Sequence, residues 1–377
     1  MGNIVVKAWK PNIPEERKKK FKEYVDDILS SGVLTNGKYC RAFEKEICKG
    51  FGVKYAKVVA NGSIAIEAGL SYFRDVKKVK TVITQAYSFK TDWMVPLRLG
   101  MNTIIADVKD GQAVISPEQI KHILNNIDGN VVIMPVWMHG WYSRSMEEKI
   151  NDIASENSNA TREVYIFNDF AQCIGSAVNP LNSGLTSFVA TKLLTAGEGG
   201  AVITNDEEMN EWIEHAIDIG QYGVRAKISG NNWRLSEFNA AFGLSGVPFF
   251  YNDLGAAILY WNIYEKRLSG LKSLKIFKPT GKDYSFNGYQ CRVDVLKHYR
   301  DWWETRLLND YGIETWISTM RYVPSDEPAF NGEAIFSERS KEMVRKGIYL
   351  PLYPSIRSSD VDYVVNALEE LDKRVEE

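Results

Sequence analysis

Residues 187–200 read Ser187-Phe-Val-Ala-Thr-Lys192-Leu-Leu-Thr-Ala-Gly197-Glu-Gly199-Gly200, which places one lysine just before a turn with three glycines. Upstream, an apolar run typical of a strand ends in Asn168-Asp169-Phe170-Ala171-Gln172. A lone loop lysine is most often a solvated surface charge. Here, however, the glycines allow the backbone to approach a bound group closely. The two stretches together indicate a binding site that contains a lysine and an acid.

Lysine and aspartate are the two groups that pyridoxal phosphate chemistry needs. The Lys192 amine can condense with the aldehyde of that cofactor as a Schiff base, and it can move protons once an incoming amine has displaced it. A carboxylate near the ring nitrogen favours the protonated nitrogen on which the electron-withdrawing chemistry depends. We therefore predict pyridoxal 5'-phosphate as the cofactor, Lys192 as the catalytic residue and Asp169 as the partner of the ring nitrogen. A turn or capping acid after a strand is the alternative for Asp169.

The composition is that of an ordinary globular chain, with 45% hydrophobic and 25% charged residues among 377. The net charge of −2, with both signs interspersed, offers no basic surface for nucleic acid. The four cysteines lack Cys-x-x-Cys spacing and the histidines form no cluster, so we predict no metal site and no disulfide framework. The longest clean apolar run, Val131 to Met138, is too short to span a bilayer, and no signal peptide is recognisable. We expect a cytoplasmic protein with small-molecule partners, without nucleic acid or membrane binding.

Short β-branched runs alternate with helical patterns over most of the chain. Alternation at this spacing predicts an α/β fold, with a mostly parallel central sheet that is covered by helices on both faces. Ligands of such sheets bind beyond the carboxyl ends of the strands. The predicted strands are Ala56 to Ala60, Lys80 to Thr84, Thr103 to Asp107, Val131 to Val136, Val164 to Asp169 and Ala201 to Thr204.

The pattern changes after about Gly243. A long helix from Leu254 to Leu271 is followed by a short strand region and by a final amphipathic helix from Ser359 to Val375. We predict a large cofactor-binding domain at residues 13–245 and a smaller C-terminal α+β domain at residues 246–377. An amphipathic helix from Pro14 to Ser31 is expected to pack on the smaller domain.

Ordered blocks along nearly the whole chain resemble those of the DegT/DnrJ/EryC1/StrS family, the pyridoxal phosphate-dependent sugar aminotransferases. The Lys192 stretch is similar to the family's Ser-Phe-x-x-x-Lys-x-Leu-Thr-x-Gly-Glu-Gly-Gly. The other blocks are Ser31 to Gly37 with Phe43-Glu44, Asn61 to Ala65, Ser88-Phe89, His139-Gly140, Gly230 to Ser236 and Leu350 to Pro354. The resemblance implies a fold type I transferase, similar to aspartate aminotransferase.

The phosphate of the cofactor is expected at the start of a helical stretch, where backbone amides favour an anion. Gly62, Ser63 and Ile64 supply such amides and one hydroxyl, although a plain serine cap would use the same groups. The resemblance implies four further cofactor contacts. They are Ser187 to the phosphate, Phe89 (with Tyr87 as the alternative) on the ring face, Gln172 to the ring hydroxyl, and Asn232 to the phosphate of a partner subunit.

Four residues are candidates for the substrate site, namely Thr35, Asn36, His139 and Arg234. Thr35 and Asn36 belong to the N-terminal block of the resemblance, and His139 stands near a strand end, where a structural histidine is an equal alternative. Arg234 could take the phosphate contact in place of Asn232, or bind a substrate carboxylate in a two-pronged manner. Either role of this segment would imply a homodimer with shared active sites.

The resemblance implies an aminotransferase that moves an amino group, with L-glutamate as the expected donor, to a keto group of a nucleotide-linked sugar. Such enzymes serve amino-sugar and polysaccharide biosynthesis. A keto-cyclitol or another carbonyl compound is the nearest alternative acceptor, and a non-catalytic binding or regulatory protein is the alternative from another class. Relatives that dehydrate sugars have histidine in place of the lysine, and Lys192 argues against that reaction. The chain departs from the family at Trp141 to Arg144 and at Leu244 to Tyr251, which leaves the identity of the substrate open.

Overall fold

The computed structural model describes residues 4–316, 320–335 and 337–376. Within them the α-helices are α1 Glu15–Ser31, α2 Lys38–Phe51, α3 Gly62–Asp75, α4 Thr91–Arg98, α5 Pro117–Leu124, α6 Arg144–Asn157, α7 Glu207–Ala216, α8 Glu237–Gly246, α9 Phe250–Leu268, α10 Arg300–Tyr311, α11 Glu338–Lys346 and α12 Ser358–Glu376. The strands are β1 Tyr55–Val59, β2 Thr81–Gln85, β3 Asn102–Ala106, β4 Val131–Met134, β5 Trp141–Ser143, β6 Val164–Ile166, β7 Asn168–Asp169, β8 Gly184–Ser187, β9 Gly200–Thr204, β10 Gln221–Tyr222, β11 Arg225–Ala226, β12 Leu274–Ile276, β13 Tyr284–Phe286, β14 Cys291–Val295, β15 Glu333–Ala334 and β16 Gly347–Leu350.

A mixed sheet forms the centre of the molecule. One part is parallel, in the order β15-β3-β2-β4-β6. The other part has the order β1-β9-β8-β7, in which only β9 runs against its neighbours. The segment from β6 to β7 joins them, because the Phe167 N–H donates to the Ile133 carbonyl and the Asn168 N–H donates to the Ser183 carbonyl, both at 2.9 Å. The prediction of a mostly parallel sheet is confirmed.

Helices cover both faces of this sheet, since successive residues of a strand point to opposite sides. On β4, Val132 and Met134 belong to one apolar cluster with residues of α3 and α7. Val131 and Ile133 belong to another cluster with residues of α2, α5, α6 and α8. Every residue of β2, β8 and β9 is buried, which is the usual state of strands between two helical layers.

The C-terminal part contains a three-stranded antiparallel sheet in the order β12-β14-β16, packed with α9, α10, α11 and α12. Two strands from this part pair elsewhere: β13 pairs with β5, and β15 lies at the edge of the central sheet beside β3. The division between residues 245 and 246 stays a prediction, and these pairings cross it.

The N-terminal helix α1 packs mainly against α8, which differs from its expected position on the C-terminal part. Phe21 and Phe242 meet edge to face, with ring centroids 5.1 Å apart. The buried Arg17 guanidinium donates to the carbonyls of Thr195, at 2.7 Å, and Phe242, at 3.2 Å. A buried guanidinium requires acceptors, and α8 and the loop after Lys192 supply them, which explains the position of α1.

Candidate active site

A cavity of about 840 Å³ lies where β7 and β8 end and where α3 begins. Its position agrees with the expectation that ligands bind beyond the carboxyl ends of the strands. Eight of the residues predicted to form a site line this cavity: Gly62, Ser63, Ile64, Phe89, Asp169, Gln172, Ser187 and Lys192.

Lys192 projects from the loop that follows β8. Its Nζ donates a hydrogen bond to the Tyr289 hydroxyl at 3.2 Å and lies 4.7 Å from the centroid of that ring. The loop is closed by backbone bonds from the Phe188 N–H to the Gly199 carbonyl and from the Ala196 N–H to the Phe188 carbonyl, both at 2.8 Å. The glycine turn thus returns the chain to the end of its own strand and fixes the base of the lysine.

Asp169 is the last residue of β7 and is 5% exposed. One carboxylate oxygen accepts the Ala171 N–H at 2.7 Å. Burial raises the pKa of Asp169, while the Ala171 N–H and the charge of Lys192 act in the opposite direction and lower it. The position provides a carboxylate on the cavity wall within the electrostatic reach of the lysine.

The N-terminus of α3 faces the cavity with two unused amides. Asn61 caps the helix by accepting the Ile64 N–H at 2.9 Å, so the predicted Ile64 amide is already engaged. The amides of Gly62 and Ser63 have no partner among the described residues, and both residues line the cavity. A Cβ atom added to Gly62 would lie 2.9 Å from the Ser187 Cβ, so this close approach of α3 to β8 requires glycine. Helix amides beside a serine hydroxyl form a site for an anion.

Gln172 is held by the backbone of His139, whose N–H donates to Oε1 of the glutamine at 2.6 Å. This contact leaves the amide NH₂ of Gln172 as the group that can donate to an acceptor in the cavity.

His139 itself does not face the cavity, which corrects its proposed contact with a substrate. The ring is completely buried, with Nε2 3.1 Å from the Tyr87 hydroxyl and Nδ1 2.9 Å from Oε1 of Gln290. Its φ of 62° turns the side chain from the strand end into the core. The buried, hydrogen-bonded ring agrees with the alternative that His139 is a structural histidine.

Four other predicted residues lie outside the cavity lining. Thr35 and Asn36 belong to the loop between α1 and α2, where Thr35 pairs with Ser236. Asn232 is exposed, and its Oδ1 accepts from Nε of Arg234 at 3.0 Å. Arg234 also forms an ion pair with Asp218. None of the four reaches the lysine site of its own chain.

The model of the DegT/DnrJ/EryC1/StrS aminotransferase family matches residues 15–369. This chain belongs to that family. It is 26% identical to the dTDP-4-amino-4,6-dideoxy-D-glucose transaminase of Shigella dysenteriae over 96% of this chain and 97% of the relative. It is 23% identical to the GDP-perosamine synthase of Vibrio cholerae over 97% of this chain and 98% of the relative. The crystal structure of DesV from S. venezuelae superposes with a TM-score of 0.86 at 21% identity, and covers 97% of this chain and 100% of DesV.

The family implies pyridoxal phosphate, and the residues of the cavity fit it. A lysine amine for its aldehyde, an acid for its ring nitrogen, and free helix amides with a serine hydroxyl for its phosphate all line one space. At about 840 Å³ the cavity is near the upper end of the usual range for ligand sites, roughly 300–1,000 Å³. It therefore has room for a cofactor and a substrate together.

The family blocks did not reveal every residue of this aminotransferase site. Tyr289, Gln290 and Trp316 line the cavity from the C-terminal part, and Asp92 lies behind Asp169. No spacing connects the first three residues to Lys192, which is far away in sequence. Asp92 stands three residues after Phe89, so a search for acids around the recognised blocks could have found it.

Among the described residues, no group of three or more histidine, cysteine or acidic side chains is arranged to hold a metal ion. No described helix is long and apolar enough to cross a membrane.

Proposed function

We propose that this family member is a pyridoxal phosphate-dependent aminotransferase that transfers an amino group from L-glutamate to a keto group of a nucleotide-linked sugar. The observation that supports it best is the single cavity that joins Lys192, Asp169 and the free amides of α3. The relatives named above act on sugars linked to different nucleotides, so the proposal names the class of acceptor and leaves the nucleotide open.

When bound, pyridoxal phosphate supplies the electron sink that amino transfer requires. Lys192 Nζ would hold the cofactor and then act as the base that moves a proton at the substrate carbon. The Tyr289 hydroxyl keeps Nζ at the cavity wall through its 3.2 Å hydrogen bond. Asp169 would keep a proton on the ring nitrogen, and Gln172 would donate its amide to the ring oxygen.

We also propose a homodimer in which Asn232 reaches the phosphate of the partner's site. Its exposed position outside the cavity of its own chain supports this role, because the side chain is available to another copy. The nearby hairpin of β10 and β11 carries Val224 at its tip, and this apolar side chain is 99% exposed. A single exposed apolar side chain is common on protein surfaces, so the exposed Asn232 is the observation that supports the dimer.

The direct test is an absorption spectrum of the protein with pyridoxal phosphate, before and after addition of L-glutamate. We expect a visible band that disappears with glutamate, and we expect Lys192→Ala to lack both that band and all transamination. Lys49→Ala, which removes an exposed lysine of α2, is the control and should behave like the wild type. Turnover retained by Lys192→Ala would exclude this assignment of the lysine.

The acceptor is then identified with the glutamate-treated enzyme. Keto sugars linked to dTDP or GDP should restore the visible band, whereas the free keto sugars should not. Restoration by a keto-cyclitol alone would favour the alternative acceptor class. A protein that takes up no cofactor would favour a non-catalytic binding protein.

A further inference from the structure

Asp92 is a carboxyl group buried without a partner. It is the second residue of α4 and is 0% exposed. Neither of its side-chain oxygens has a hydrogen-bond partner among the described residues. An ionised carboxylate in such a place would lose its hydration and gain nothing in return.

The titratable group that acts on Asp92 is the equally buried Asp169, through its charge and through a side-chain hydrogen bond that becomes possible once one of the two carboxyls is protonated. Two adjacent carboxyls out of water cannot both be ionised, because the second charge is opposed by the first and by desolvation. Burial and then the charge of Asp169 raise the pKa of Asp92 well above its ordinary value. The Phe89 N–H and the Ser88 hydroxyl are close enough to lower this pKa somewhat, although neither forms a hydrogen bond with Asp92.

Asp169 is the better placed of the two to carry the charge. It accepts the Ala171 N–H at 2.7 Å, and the positive charge of Lys192 acts on it. Neither oxygen of Asp92 accepts a hydrogen bond from the described residues, and the neighbouring charge that acts on it is the negative charge of Asp169. On α3, which packs against α4, Glu67 is already paired with Arg98.

We propose that Asp92 carries the proton of this pair and donates it in an O–H···O hydrogen bond to Asp169. Asp92 is then a positioning residue behind the carboxylate that faces the cavity. The bond gives the protonated oxygen of Asp92 a partner and makes the Asp169 carboxylate less basic, so that Asp169 stays ionised. This last step rests on the proposed function, because it matters only if Asp169 faces a protonated ring nitrogen.

The first test measures unfolding of the full-length chain without cofactor at several pH values. An acid that is protonated when folded and ionised when unfolded makes folding less favourable as the pH rises. We expect the unfolding constant of the wild type, relative to that of Asp92→Asn, to rise roughly tenfold per pH unit between about pH 5 and pH 7. A ratio that does not change with pH would show an ionised Asp92 and overturn the proposal.

The matched control is Asp107→Asn, the same change at another buried carboxyl. Asp107 accepts backbone N–H groups from Val108, Arg339 and Ser340, each at 2.8 Å. An amide cannot replace these acceptors fully, so this variant should be less stable than the wild type at pH 7. Asp92→Asn should be the more stable of the two.

A second measurement locates the proton directly. The infrared spectrum of the wild type near pH 7 should contain the C=O band of a buried protonated carboxyl. The band should vanish in Asp92→Asn and persist in Asp169→Asn. The opposite result would place the proton on Asp169 and overturn the proposal.

Binding of pyridoxal phosphate, followed by fluorescence, tests the consequence for the site. Asp92→Asn keeps a donor for Asp169, so its affinity should stay within a few-fold of the wild type. Asp92→Leu removes the donor and should bind the cofactor at least tenfold more weakly. Equal binding by the leucine variant would contradict the positioning role. If the wild type bound no cofactor, the proposed function would fail, while the unfolding and infrared measurements would still decide the state of Asp92.

Discussion

At the scale of single residues, burial strongly changes the titration of His139. A neutral ring with its proton on Nδ1 can donate to Gln290 and accept from the Tyr87 hydroxyl. Burial, followed by the charge of the buried Arg292, lowers the pKa of His139 to about 3. In the unfolded chain this histidine binds a proton near pH 6.5, whereas in the folded chain it stays neutral until about pH 3. The free energy of unfolding therefore decreases as the pH falls below 6.5.

We therefore predict that His139→Asn reduces the acid sensitivity of the fold. Each pKa unit corresponds to about 1.4 kcal/mol, and the unfolded histidine is already half protonated at pH 6.5, so the wild type should lose about 2 kcal/mol more than the variant between pH 6.5 and pH 4.5. Urea unfolding at the two pH values measures the difference, and asparagine tolerates the positive φ of this position. His298→Asn controls for the loss of a histidine as such. Parallel loss of stability in wild type and His139→Asn would contradict a neutral buried ring.

Whether the sequence predicts that a residue belongs to the site depends on what fixes the direction of its side chain. Asp169 stands at a strand end and Lys192 in the loop after a strand, where the fold alone brings both to one cavity. His139 stands at a comparable place, but its positive φ turns it inward. Asn232 and Arg234 lie on an irregular segment, whose direction no periodicity describes. The sequence therefore predicts well which residues lie near the cavity. It predicts less well whether their side chains point into the cavity or away from it.

At the scale of elements, Arg17 connects α1 to the loop of the catalytic lysine. Its guanidinium donates to the Thr195 carbonyl, three residues after Lys192, and to the Phe242 carbonyl of α8. Burial lowers the pKa of Arg17 to about 10, although the charge of Asp253 opposes this shift. The side chain therefore remains charged at neutral pH, and α1 holds the loop through the Thr195 carbonyl and α8 through the Phe242 carbonyl.

We predict that Arg17→Met destabilises the protein by roughly 3 kcal/mol, because the buried Thr195 carbonyl and the partly buried Phe242 carbonyl lose their donor. The same change should weaken binding of pyridoxal phosphate, since the loop that carries Lys192 loses its support. Urea unfolding and a cofactor titration measure the two effects. Lys20→Met, on the exposed side of the same helix, should change neither by more than about 0.5 kcal/mol. A cofactor affinity unaffected by Arg17→Met would show that α1 does not support the loop.

Most of the strands of the central sheet can be predicted from the sequence. Five of the six predicted strands agree with the observed ones within two residues, since buried strands are continuous apolar runs. The sixth, Val164 to Asp169, contains two short strands, β6 and β7. The strand β8 was not predicted separately, because Gly184-Leu-Thr-Ser187 is too short and too polar to stand out as a run. The position of α1 could not be predicted either, since it depends on a buried arginine whose acceptors are distant in sequence.

At the scale of the whole molecule, the proposed dimer divides each site between two chains. Lys192 and Asp169 line the cavity of their own chain, whereas Asn232 does not. Loss of one hydrogen bond to a charged phosphate costs about 1.5–3 kcal/mol, so Asn232→Ala should bind the cofactor roughly 10- to 100-fold more weakly. No single variant can tell whether the lost contact lies within the chain or between chains.

Mixed dimers separate these two cases. Lys192→Ala and Asn232→Ala chains are each inactive or weak alone, but a mixed dimer contains one site with both intact residues. Unfolding and refolding an equal mixture should therefore restore about a quarter of the wild-type activity, because half of the dimers are mixed and each has one complete site. A mixture of Lys192→Ala with Asp169→Ala should restore nothing, since both residues belong to the same chain's site.

Replacing Asn232→Ala by Arg234→Ala in the mixture with Lys192→Ala tells which of the two side chains crosses the interface. If neither Asn232→Ala nor Arg234→Ala restores activity when mixed with Lys192→Ala, with mixed dimers verified by differential tags, then neither side chain completes the partner's site and the shared-site dimer is excluded.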